Sequence, residues 1–313
     1  MTIDFAAVRN PLWRRHENAR DPGLIRTDDG YRIYYTRHAS VLGEWQAREV
    51  WSVGCIRTRD FVTFFDDRDI SPKGFNSPSD PVWWHGRWIL GYQDYVTKPE
   101  LMYFAESADL NAWSSPRPLL PEVGALPWNI LRRAIDPHFW VEGDTLHCFF
   151  TGAAPNSGET QDRLGRYNMV GQAVTQDPSL QNWTILTREK PLIGETPEGP
   201  DGVENIAIVE TGDHFTMIYS EGLRRQHLAR ATSRDLLRWE LQGRIDFESQ
   251  AWMRYGQGAP TVWRENDHYY MLAMGTAPRD IMIDGRYRTT QAETTLGLFH
   301  SPDCIQWTPA AER

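Results

Sequence analysis

The sequence predicts an all-β protein, a five-bladed β-propeller, from three observations: a short unit that recurs five times, a second unit that precedes each copy, and the absence of any helical period. The recurring unit is a strand-like stretch ending in Ser or Thr, any residue, then Asp, with an aromatic a few positions on. It reads Thr58-Arg59-Asp60 with Phe64, Ser107-Ala108-Asp109 with Trp113, and Thr175-Gln176-Asp177 with Trp183. The fourth and fifth copies are Ser233-Arg234-Asp235 with Trp239 and Ser301-Pro302-Asp303 with Trp307. Repeats at such a period signal arrays of one supersecondary unit.

The preceding unit starts with an acid or small residue, usually followed by Pro, then runs through an apolar stretch and a polar turn into an aromatic-rich strand. Its copies begin at Asp21-Pro22, Asp80-Pro81, Asp136-Pro137, Glu204-Asn205 and Ala259-Pro260, spaced 55 to 68 residues apart. The turns, such as Asp28-Asp29-Gly30, His85-Gly86 and Glu142-Gly143-Asp144, have hairpin chemistry. No 12-residue stretch keeps a helical period. Units of this length hold four strands each, the content of a propeller blade. Five of them use all 313 residues as one domain, with blades at approximately 1–69, 70–116, 117–190, 191–245 and 246–313. The insertions at Ala153 to Asn168 and Ile281 to Glu293 read as loops over one face, where binding sites are shaped.

Composition narrows the function. A net charge of −9 and a pI near 5.5 leave no basic patch for nucleic acid or an anionic membrane surface. Cys55, Cys148 and Cys304 lie too far apart for a zinc pattern and are odd in number, so buried reduced thiols are expected. Met1 to Asn18 has no apolar core of signal-peptide type and no run approaches bilayer length, so a cytoplasmic setting is expected. Fourteen Trp, twelve Tyr and twelve Phe pack sheets, and any exposed rings suit sugar faces. No Gly-rich phosphate loop, nucleophile elbow or zinc helix is present.

Superposing the repeats places Asp21, Asp80, Asp136 and Glu204 at the entry of the innermost strand of blades one to four, converging on the central channel. A single Asp-Pro is a turn device. Three of them plus a Glu at equivalent positions make a partly desolvated carboxylate ring, the equipment for glycosidic cleavage. Asp80, His138, Trp83 and Arg133 flank these entries as candidate sugar contacts. The equally periodic Asp60, Asp109, Asp177, Asp235 and Asp303 fall in the outer hairpin as turn residues.

At these residues the chain resembles the five-bladed propeller glycosidases of glycoside hydrolase family 43 and its relatives. The motifs that carry the resemblance are Arg20-Asp21-Pro22, Ala134-Ile135-Asp136-Pro137 and a Glu at the next blade entry. The resemblance implies Asp21 as general base, Asp136 as the acid that orients and tunes pKa, and a Glu as general acid. Glu198-Gly199-Pro200 matches the family's usual wording, but it stands 21 residues before Tyr219, whereas the other blades need 12 to 14 between entry and closing aromatic. Glu204, at 15, is the better fit. Gly256-Gln257-Gly258-Ala259 departs from the family's Gly-x-Gly-His, which faces a central ion or water. No cofactor and no protein-ligated transition metal are therefore expected, with room left for a hydrated Ca²⁺. The resemblance implies an exo-acting, inverting arabinofuranosidase- or xylosidase-like enzyme on short oligosaccharides. A retaining fructan- or anhydrosugar-processing enzyme, with Asp21 as nucleophile, and a non-catalytic sugar-binding propeller remain the alternatives. The oligomeric state is left open.

Overall fold

The computed structural model describes residues 3–12, 17–39, 51–156, 165–194, 196, 202–223, 225–283 and 286–313. They form five antiparallel sheets, one per repeat, built from Glu17–Asp69, Phe75–Leu119, Ile135–Ile185, Val203–Arg244 and Gly256–Pro309. Four of these meander through four strands; in the second, the innermost strand is broken into Phe75–Asn76 and Val82–Trp84. The fourth strand of blade two, Arg117–Leu119, crosses the boundary expected at 116, because Arg117 and Leu119 still pair with Phe104 and Met102.

The core is divided into five clusters, one between each pair of neighbouring blades. Period-two alternation explains how one strand serves two interfaces. In blade one, Ile33 and Tyr35 pack with Leu272 and Leu298 of blade five, while Tyr34 packs with Leu90 and Tyr92 of blade two. In blade three, Cys148 and Phe150 face blade two and Phe149 faces blade four. A strand buried on both faces reads as a nearly continuous apolar run, as Cys148-Phe149-Phe150 does. All three cysteines are buried free thiols, as expected.

The outer-hairpin acids are turn residues in all five blades. Asp60, Asp109, Asp177, Asp235 and Asp303 each accept backbone N–H bonds from residues two positions or more ahead, for example Asn111 N–H to Asp109 Oδ1 at 2.8 Å. The residue after each, except in blade three where it is Leu180, is held at positive φ, from Phe61 at 58° to Leu110 at 62°.

The ring is closed by the chain's beginning lying along the last blade. Arg9–Asn10 pairs in parallel with Ala311–Glu312, and buried Asn10 exchanges side-chain bonds with the N–H and C=O of Leu298 at 2.8 and 3.1 Å. Among the described residues, the insertions expected as loops are largely strand: Thr145–Pro155 pairs with Arg166–Thr175, and His268–Ile283 pairs with Arg286–Ser301 down to Ile283↔Arg286. Extended blade hairpins continue the ladder there, so backbone groups stay paired at the mouth. No described helix is long and apolar enough to cross a membrane.

Candidate active site

One residue from each blade stands at the same break in strand pairing: Asp21, Ser77, Asp136, Asn205 and Ala259. All five hold a left-handed backbone, with φ of 48°, 47°, 51°, 50° and 46°. Such a bulge re-aims a side chain that the pleat would otherwise alternate away. For Ser and Ala the conformation costs about 1–3 kcal/mol, a strain typical of functional sites. Pro follows in four of the five, and the ring lines a small cavity of about 30 Å³ on the axis.

Neighbouring blades are stitched at this level. The N–H of Ser77 donates to Thr36 Oγ1, that of Asp136 to Gln93 Oε1 and that of Ala259 to Ser220 Oγ, each at 2.7 Å. Each acceptor is the polar residue facing the bulge in the preceding blade's second strand. Thr36 in turn donates to Asp21 Oδ2 at 2.8 Å, and Ser77 Oγ reaches the same oxygen at 3.2 Å. Asp21 is thereby held from blades one and two.

Asp136 is buried, 8% exposed, and its Oδ2 has no hydrogen-bond partner. Burial drives its carboxyl well above the usual range, the negative charges of Glu204 and Asp21 add to the rise, and Arg133 and the Ser77 hydroxyl oppose it. The three predicted acids thus share one electrostatic neighbourhood. Asp136 is the most buried of them, and that burial favours its protonated form.

Glu204 stands one residue before the ring position, which Asn205 occupies, and pairs with Ser220. Its Oε1 accepts from Gln226 Nε2 at 2.8 Å and its Oε2 from Asn168 Nδ2 at 2.5 Å. Asn168 Oδ1 accepts from Arg133 Nη1 at 3.3 Å, and Arg133 Nε lies 3.5 Å from Glu100 Oε2. Arg133 therefore reaches the site through Asn168. Glu198 lies outside the described residues.

Two expected contacts stand off the ring, Asp80 still lining the cavity and Trp83 away from it. Asp80 is three residues beyond the ring, because Asn76↔Gln93 pairing puts Ser77-Pro78 where Asp21-Pro22 and Asp136-Pro137 stand. Its Oδ1 accepts from Leu24 N–H of blade one at 2.6 Å and from Thr261 Oγ1 of blade five at 2.7 Å, locking three blades across the channel. Gly23 makes room for this approach, since a Cβ there would sit 2.1 Å from Ser79 O. Trp83 is 50% exposed beside the His85-Gly86 turn, edge-on to Trp88, at the opposite end of its strand from Ser77. His138 does line the cavity; burial lowers its pKa to about 4, so it is neutral, with Nε2 unpartnered. Ala259 offers a methyl where the family places His, and no described cluster of three His, Cys, Asp or Glu side chains is arranged to hold a metal. The residues present do not fit a protein-ligated ion there.

Solved structures of glycoside hydrolases share this fold. Over 97% of this chain and 98% of the other, it superposes on an α-L-arabinofuranosidase from Lactobacillus brevis with a TM-score of 0.66 at 17% identity. An α-L-arabinofuranosidase from Podospora anserina, in complex with cellotriose, gives 0.63 at 12% identity, covering 94% of both chains. A family-32 β-fructofuranosidase from Bombyx mori gives 0.63 at 16%, covering 95% of this chain and 65% of that one. At these identities the shared property is the fold. No family model and no curated sequence matches the chain.

Proposed function

We propose that the protein is a glycoside hydrolase acting on short oligosaccharides or glycosides, exo-acting and inverting, with Asp21 as general base and Glu204 as general acid. The observation that carries this reading is the convergence of three acids from three blades: Asp21 and Asp136 line the axial cavity, and the charges of both Asp21 and Glu204 reach Asp136. Asp21 and Glu204 are oriented by polar side chains rather than by a salt bridge among the described residues: Asp21 by Thr36 and Ser77, Glu204 by Asn168 and Gln226. Orientation by neutral donors leaves the carboxylates' charges available to the reaction.

In this mechanism Asp21 takes the proton of a water that attacks the anomeric carbon, while Glu204 gives a proton to the departing oxygen. Two such carboxyls leave room for water when they are about 6.5 to 9.5 Å apart. Asp136, whose raised pKa favours its neutral form, stands beside Ser77, and neutral His138 presents an imidazole nitrogen to the cavity. The chemistry consists of proton transfers and water addition, which need no organic cofactor.

A panel of aryl furanosides and pyranosides tests the reading, with arabinofuranosides and xylosides first because both arabinofuranosidases above share the fold. Turnover that collapses in folded Asp21→Asn and Glu204→Gln is the expected result; an inert panel removes the reading. The likeness to a β-fructofuranosidase favours one second reading, a retaining enzyme with Asp21 as nucleophile. The anomeric configuration of the first product separates the two.

A further inference from the structure

We infer that the sugar bound on the outer side of Glu204 carries a carboxylate, a uronic acid, and that Arg166 recognises it; this rests on the reading of Glu204 as part of the reaction centre. Arg166 and Asn168 are two residues apart on the strand Arg166–Thr175 and so share a face. Asn168 is the residue whose amide holds Glu204 Oε2. The Arg166 guanidinium accordingly stands within electrostatic reach of Glu204, Arg133, Tyr95 and Glu100.

The neighbouring charges are already matched. Arg133 and Lys98 both lean on Glu100, and Glu204 is satisfied by the two neutral amides of Asn168 and Gln226. Arg166 has no such partner: its Nε is buried without an acceptor, and no described carboxylate is within salt-bridge distance of it. Burial and the like charge of Arg133 both lower its pKa, with Glu204 only partly offsetting them, the signature of a cation lacking its counter-charge. An unpaired, largely buried guanidinium is costly to keep. A ligand carboxylate answers both its charge and its planar fork of donors. A neutral sugar would leave the charge unmatched.

Calorimetric titration of the whole protein with D-galacturonate and D-glucuronate, against galactose, glucose and the methyl ester of galacturonate, tests this directly. The uronates are expected to bind about 10- to 100-fold more tightly than the neutral sugars and the ester, as a charge-assisted pair implies. High salt and Arg166→Gln should abolish the preference, and Arg166→Lys should restore part of it. Neutral sugars binding as tightly as uronates, no detectable uronate binding, or a preference that survives Arg166→Gln would each overturn the proposal. The ester comparison needs no variant, so it stands even if Arg166→Gln fails to fold. Assaying hydrolysis alongside keeps the two claims apart. Carboxylate-dependent binding without turnover of any glycoside retains Arg166's role and removes the hydrolase reading, whereas turnover of neutral glycosides without uronate preference does the reverse.

Discussion

Replacing Asp80 by Asn should make the protein more stable above neutral pH and leave its stability near pH 4 unchanged. Asp80 locks blade two to blades one and five through a single oxygen, Oδ1, which accepts from Leu24 N–H and Thr261 Oγ1. An Asn side chain keeps that acceptor. Burial pushes the Asp80 carboxyl from its ordinary 3.8 to about 6, only partly offset by the bonds from Thr261 and Leu24, and no other carboxylate contributes. The folded pKa is therefore the higher one, so the protonated residue's contribution is fully present below about pH 4 and is lost as pH rises through about 6. At about 1.4 kcal/mol per unit, the loss by pH 7.5 is about 3 kcal/mol. With an unfolding entropy of about 2.1 cal/mol/K per residue, 313 residues give about 0.66 kcal/mol/K, so Asp80→Asn should raise Tm by about 4–5 °C at pH 7.5. Differential scanning fluorimetry of both proteins at pH 4.5 and 7.5 measures this, and other titrations cancel in the difference. A variant equally shifted at both pH values, or less stable at 7.5, would refute the reasoning.

The remaining predictions concern the reaction centre. Asn168→Ala or Gln226→Ala should reduce kcat about tenfold or more with a folded product, because each removes one of the two donors that orient Glu204; circular dichroism and initial rates check this. Asp136→Asn should lower activity yet raise Tm at pH 7.5, since a carboxyl whose folded pKa is raised loses stability as pH increases; thermal melts decide the sign. Proton NMR of the first-formed sugar should show inversion, and product with the substrate's own configuration would favour the retaining reading. Elemental analysis after dialysis should find less than one equivalent of zinc or iron, given Ala259 at the blade-five ring position.

The blade count was legible in the sequence because the outer-hairpin turns are made by local chemistry: Ser or Thr and Asp bond to the backbone a few residues on. The ring was legible at Asp21, Asp136 and Ala259, where Pro follows the ring residue at the start of the repeat unit. In blade two, Ser79-Asp80-Pro81 masks Ser77-Pro78, because two X-Pro steps lie three residues apart and only cross-strand pairing with Gln93 shows which one takes the ring position. Glu204 was found by a count that is one residue too long. Asn205 stands the same 14 residues from Tyr219 as Asp21 does from Tyr35, which a Pro-less entry does not advertise. Asn168, Gln226, Thr36 and Arg166 carry no motif at all. They are single polar residues on second and third strands or the turns between them, and closure of the propeller brings them to the acids. Trp83 was misplaced for the opposite reason: an aromatic near a catalytic motif in sequence is carried by three residues of strand to the far end of the blade.

The most direct test of Asp21 and Glu204 as base and acid is the initial rate of hydrolysis by wild type, Asp21→Asn and Glu204→Gln on one aryl glycoside series with good and poor leaving groups. A departing dinitrophenolate needs no proton, so Glu204→Gln should approach wild type on that substrate and fall by about 10² to 10⁴-fold on a poor leaving group, while Asp21→Asn falls on both. Folded variants that stay within a few-fold of wild type on the poor leaving group would contradict the assignment.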